Sequence, residues 1–123
     1  MKLVTAAQMR TLEQAAVEAG SSEGQLMEEA GLAAAQEAWM LLGTLEGRRI
    51  LVLAGPGNNG GDAMVSARHL REWGAELFVY VPTARPDDEH AEALRESVIP
   101  IIRGVDDPGL TNFAELLGSC ELI

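Results

Sequence analysis

Cysteine is almost absent from this chain: Cys120 stands alone, which excludes an internal disulfide and any thiolate metal cluster. Beside the last strand expected from the sequence, it reads as a small buried residue. Basic residues are also scarce. Nine Lys and Arg against 19 Asp and Glu give a formal net charge of −10, so no basic stripe exists to hold nucleic acid or an anionic membrane. Aromatic residues make up 4% of a chain that is 47% apolar, and the core must therefore be built mainly from Ala, Leu, Val, Ile and Met. No apolar run approaches a membrane span, and no N-terminal segment combines a basic flank, an apolar stretch and a cleavage site. A soluble, cytoplasmic protein is expected. Internal repeats, low-complexity tracts, linkers, a Ser/His/Asp spacing, paired catalytic carboxylates and a zinc pattern are all missing. The 123 residues are enough for one small domain with one core.

What the chain does have is a glycine-rich loop between an apolar strand and a helix. Ile50-Leu51-Val52-Leu53 is the continuous apolar run that a sheet covered on both faces needs. Gly55-Pro56-Gly57-Asn58-Asn59-Gly60-Gly61-Asp62 follows, and then Ala63, Ala67 and Leu70 at helical spacing up to a stop at Gly74. Four glycines within residues 55–61 let a ligand approach the main chain, where the first amides of the helix would face it. Gly55, Gly57 and Gly60 match the G-x-G-x-x-G dinucleotide fingerprint, which alone is weak. The acid that normally ends the second strand is replaced by Pro82-Thr83 after Leu77-Phe78-Val79-Tyr80-Val81. In its place the loop offers Asn58, Asn59 and Asp62, side chains suited to hydroxyl, amide or cation recognition or simply to capping a turn and a helix. A helix starting at Asp62 would hold that carboxylate ionised through its dipole. Arg85, after the second strand, is suggestive of a 2′-phosphate contact but not specific for one. His69 and His90 read as surface or packing residues.

The remaining elements alternate. A helix capped by Thr5 and Gln8 presents Met9, Leu12, Ala16 and Ala19 and ends near Gly20. A second runs from about Ser22 to Leu42 with Met27, Ala30, Ala34, Ala38 and Leu41 inward and small residues from Gly31 to Ala35. After the loop helix and second strand come a helix opened by Asp87-Asp88-Glu89, a strand at Ile99–Ile102 held to an edge or bulge by Pro100, a short helix from Asp107-Pro108 to Leu117, and a fourth strand from Glu121. The expected fold is α/β: a Rossmann-like three-layer α/β/α arrangement with a parallel sheet and right-handed crossovers, preceded by two N-terminal helices. Its ligand belongs at the carboxyl ends of the strands.

At the loop the chain resembles a known family. Gly55 to Leu70, GPGNNGGDAMVSARHL, is similar to the signature loop and helix of the YjeF N-terminal domain family, whose enzymatic members are NAD(P)H-hydrate epimerases. Leu26-Met27-Glu28-Glu29-Ala30-Gly31 resembles the family's LMExAG helix, and Val4 to Arg10 its opening helix; Ala63 stands where the family usually has Gly. The resemblance covers essentially residues 1–123 as one domain. It implies a metabolite-repair isomerase that interconverts the R and S epimers at C6 of hydrated NADH or NADPH, with an ADP- or ATP-dependent dehydratase as functional partner. It further implies that Asn58, Asn59, Gly60, Gly61 and Asp62 contact the substrate, that Asn59 contributes to a potassium site, and that the family's remaining potassium-binding Asp and second glycine loop would follow Ile123. No catalytic residue is assigned. A noncatalytic nucleotide-sensing or protein-interaction module on the same fold is the alternative function class, with a dehydrogenase third. A homodimer through the N-terminal helix pair is a further expectation. The net charge repels an anionic dinucleotide at long range, so binding must be won through loop amides, a helix terminus and a cation.

Overall fold

Three short apolar runs form the central sheet of the structure, a computed structural model that describes residues 5–18 and 22–123. β1 (Arg49–Leu53), β2 (Glu76–Val81) and β3 (Ile101–Arg103) lie side by side in that order, all parallel, with Leu51 opposite Phe78 and Val79 opposite Ile101. Alternation along each strand divides the side chains between two faces. Ile50, Leu77, Val79 and Val81 enter one buried cluster, whereas Leu51 and Tyr80 enter the other. After α1 (Ala6–Glu18), the helices α2 (Glu23–Leu42), α3 (Asn58–Glu72) and α4 (Glu89–Glu96) supply Ala35, Met64, Ala67, Leu70 and Leu94 to the first cluster. α5 (Thr111–Ser119) covers the second with Leu116 and Phe113, and the half-buried Cys120 packs there too. The three layers and the parallel sheet match the expectation.

The helix starts are chemically explicit. Thr5 and Gln8 exchange side-chain and backbone hydrogen bonds ahead of α1, and Ser22 and Gln25 do the same ahead of α2. Gly43, at φ +78°, donates its N–H to the Trp39 carbonyl and ends α2. On α1, Met9 and Leu12 are exposed; the side chain of Ala16, together with Ala19 and Gly20, lies outside the described residues.

The inward stripe of α2 differs from the expected one by about one residue. Gly31 and Ala35 are buried, with Ala38 and Leu42 half-buried against the core, while Ala30, Ala34 and Leu41 face outward. The partner helix decides this. A Cβ on Gly31 would lie 2.4 Å from Val65 Cγ1 and 2.9 Å from the Asp62 carbonyl oxygen, so α3 passes against bare backbone there. The buried Ser66 hydroxyl donates to the Gly31 carbonyl at 2.7 Å across the same seam. Farther along it, Glu28 pairs with Arg68 and accepts a 2.9 Å hydrogen bond from His69. The Arg68 guanidinium holds the Glu28 carboxyl below the usual carboxylate range against the opposing pull of burial, with His69 adding to the effect. The two indoles close the seam: Trp39 and Trp73 have ring centroids 5.8 Å apart.

At the sheet's edges, the third strand begins at Ile101 instead of Ile99, because the Ile99 N–H turns back to the Leu94 carbonyl. Pro100 sits just ahead of this edge strand, where only its carbonyl is needed; it accepts from the Val79 N–H at 3.0 Å. The expected fourth strand is a single parallel bridge, Ile50 with Leu122, flanked by the Leu51 N–H donating to Leu122 and the Glu121 N–H donating to Arg49. This bridge lies on the side of β1 away from β2. The chain therefore steps β1, β2, β3 in one direction and then returns past β1, reversing the strand order there.

The helix expected from Asp107 to Leu117 is broken into a 3₁₀ turn (Pro108–Leu110) and α5, joined at Leu110 in the left-handed region. Asp107 is the hub of this break. Its carboxylate accepts the N–H groups of Asn112 and Phe113 at 2.9 and 3.1 Å and the Tyr80 hydroxyl at 3.1 Å. The Asn112 amide leads in holding Asp107 below the ordinary carboxylate range, against burial, with Phe113 and Tyr80 assisting; burial pushes the Tyr80 phenol up. Because the folded-state value is depressed, the stabilisation is complete above the unfolded value of about 3.9 and is lost as pH falls through the folded one. Urea midpoints measured from neutral to acid pH should therefore fall less steeply in Asp107→Asn than in the parent chain. Equal slopes would exclude this carboxylate as a source of acid sensitivity.

Candidate functional site

The glycine loop leaves β1 at its carboxyl end and enters α3 sooner than expected. Helix geometry starts at Asn58, not Asp62, with Gly57 as N-cap and no capping side chain. Asn58, Asn59, Gly60, Gly61 and Asp62 are thus the first five helical residues. Glycine and asparagine are poor helix formers and good turn formers, which hides this start in the sequence. Spaced four apart, Asn58 and Asp62 share one helix face, with Asn59 about 100° round from Asn58. Asn58 and Asn59 are exposed, Gly60 and Gly61 buried, and Asp62 half-buried. Asp62 lies beyond the first turn, so the dipole argument made for it loses most of its force. Helix geometry leaves the amides at this terminus without intrahelical acceptors, except where Gly60 and Gly61 donate back to the Gly57 carbonyl at 3.1 and 3.4 Å.

Of the two buried glycines, Gly60 is required by the backbone that touches it, while Gly61 meets mainly a side chain that can move. A Cβ on Gly60 would lie 2.0 Å from the Gly55 carbonyl oxygen and 2.7 Å from Arg85 Nη1. At Gly61 the neighbours are the flexible end of Met27, with its Sδ at 2.6 Å, and the His90 ring at 3.5 Å. α2 and α4 thereby contribute Met27 and His90 to the wall behind the loop, a packing role for both. His69 is likewise a packing residue, held by Glu28 and lying near the Trp73 ring.

Arg85 turns inward. Its Nη1 donates to the carbonyls of Gly55 and Gly57 at 2.8 and 2.9 Å, and its Nη2 to Asp88 Oδ2 at 2.9 Å. A guanidinium turned back onto the loop is not presented to a 2′-phosphate. Asp88 in turn caps α4, its Oδ1 accepting from the His90 and Ala91 amides. Burial alone would raise the Asp88 carboxyl, but the Ala91 amide and the Arg85 charge outweigh it and hold it low.

The cleft between α5 and the sheet, ≈ 430 Å³ and lined by Arg49, Phe78, Ile102, Asn112 and Leu116 among others, takes in no residue of the glycine loop. Among the described residues no group of three or more His, Cys, Asp or Glu side chains could hold a metal, and no helix is long and apolar enough to cross a membrane.

A parallel sheet whose order reverses at β1, with a glycine loop leading from that strand's carboxyl end into a helix, defines a doubly wound α/β protein. More particularly, the family described as YjeF-related protein N-terminus matches residues 23–102, and the chain belongs to it. It is 39% identical over 99 residues to a Fusarium vanettenii NAD(P)H-hydrate epimerase, covering 80% of this chain and 40% of that protein. With the Yarrowia lipolytica protein of the same name it shares 46% over 91 residues, 70% of this chain and 37% of the relative. The Aspergillus fumigatus epimerase aligns along the whole chain at 33% identity and is covered to 51%. The crystal structure of yeast ynu0 superposes with a TM-score of 0.76 at 28% identity, covering 95% of this chain and 51% of that one. The chain spans about half or less of the length of the relatives it matches.

Proposed function

We propose that this chain carries the substrate-binding loop of an NAD(P)H-hydrate epimerase, an isomerase that interconverts the R and S forms of hydrated NADH and NADPH. The observation that carries this is the Gly55–Asp62 segment, which presents Asn58, Asn59 and Asp62 on the opening turns of α3 at the carboxyl end of β1, in a chain whose relatives bear that name. In this role the buried glycines let the dinucleotide approach the helix terminus. The amides of Asn58 and Asn59 and the carboxylate of Asp62 bind and orient it through its hydroxyl and amide groups.

Potassium would be held in part by Asn59, whose side-chain oxygen suits a hard monovalent cation. That one exposed group does not by itself enclose an ion. An ADP- or ATP-dependent dehydratase consuming the S form, a cytoplasmic setting and a homodimer through α1 and α2 complete the proposal. Light scattering that finds only monomer at high concentration would remove the last part.

The test supplies the R epimer of hydrated NADPH, with potassium, and an S-specific dehydratase as coupled reporter. Conversion faster than the spontaneous rate is expected, and Asp62→Asn and Asn59→Ala should each lower kcat/KM by about tenfold or more. Tight binding without conversion would point instead to a nucleotide-sensing module.

A further inference from the structure

Arg85 lies between the end of β2 and the start of α4, yet its charge is spent inside the protein. Its side chain is 6% exposed. Its Nη1 bridges the Gly55 and Gly57 carbonyls, its Nη2 reaches Asp88, and its Nε is buried without a hydrogen-bond partner. Three pieces of backbone meet at this one rigid fork: the glycine loop, the first turn of α3 through Gly60, and the N-terminus of α4 through Asp88. Lysine, with its single point of charge on a flexible stem, cannot reproduce two carbonyl contacts and a carboxylate contact at once.

We propose that Arg85 is a positioning residue for the glycine loop, fixing the Gly55 and Gly57 carbonyls so that the opening turn of α3 is held toward the ligand, and that it takes no part in reading a 2′-phosphate. The proposal rests on the epimerase function given above. It has a kinetic signature: a residue that shapes the loop serves both hydrated dinucleotides equally, whereas a phosphate reader serves only the NADPH form.

The experiment compares Arg85→Ala and Arg85→Lys with the parent chain, reading kcat and KM for hydrated NADH and hydrated NADPH separately. Amide hydrogen exchange at Gly60 and Gly61 is followed well below the unfolding temperature. For Arg85→Ala, kcat/KM should fall by about tenfold to a hundredfold for both substrates, with their ratio unchanged within about twofold and part of the loss recovered by lysine. Exchange at Gly60 and Gly61 should quicken by about tenfold while the amides of Leu51 and Val79 in the sheet keep their protection. A loss confined to hydrated NADPH would overturn the proposal, as would unchanged exchange at Gly60 and Gly61. Faster exchange throughout the sheet with unaltered kinetics would overturn it as well, since Arg85 would then be a stability residue only. Should the parent chain convert neither substrate, the epimerase function fails, and the exchange comparison still decides whether Arg85 fixes the loop.

Discussion

Gly60→Ala is expected to reduce kcat/KM for the hydrated dinucleotide by about a hundredfold, because the added methyl has nowhere to go without moving the loop by about an ångström or more. The methyl carbon would meet the Gly55 carbonyl oxygen at 2.0 Å and its carbon at 2.9 Å, both backbone atoms, with Arg85 Nη1 at 2.7 Å. Helix propensity points the other way: alanine is better than glycine in a helix interior by about 1 kcal/mol. The steric conflict is larger, since the clashing carbonyl is itself anchored by Arg85. Loss of activity with a nearly unchanged melting temperature would be the clearest form of the result. Full activity in this variant would mean that the loop is not held in this conformation when it works.

Gly31→Ala should cost about 1 kcal/mol of stability in urea unfolding, from overpacking of about 1–3 kcal/mol set against a propensity gain of about 1 kcal/mol. Val65 is buried and β-branched, so its side chain has little rotameric freedom with which to retreat from a Cβ 2.4 Å from its Cγ1. The Asp62 carbonyl at 2.9 Å blocks the other side. The helices must separate, lengthening the Ser66 hydroxyl bond to the Gly31 carbonyl. A variant as stable as the parent would show that α2 and α3 do not approach this closely.

The parts of the fold legible in the sequence were those with one dominant signal. The β1 and β2 runs are continuously apolar because both faces of the sheet are covered, and the loop's glycines announce a close approach of backbone. α2 was legible as a helix but not in its orientation: Ala30, Ala33, Ala34, Ala35 and Ala38 surround it with small residues, so no stripe stands out until Val65 and Ser66 select Gly31. The start of α3 was hidden because its first four residues, Asn58 to Gly61, are turn formers in isolation. The roles given to the site residues came from family resemblance to their motif. The part played by Arg85 was beyond sequence, since a guanidinium facing its own main chain and one facing a phosphate are spelled the same way.

The contact between Trp39 and Trp73 has a practical consequence. These are the chain's two tryptophans, and they form one pair between α2 and α3, so intrinsic emission excited in the indole band reports on a single place in the molecule. That place is the seam at which Gly31 and Ser66 meet. Separation of the helices should change the emission strongly, while rearrangement of the glycine loop should leave it nearly unaltered. The protein thus carries a built-in optical gauge that distinguishes a substitution loosening the scaffold from one disturbing only the binding loop.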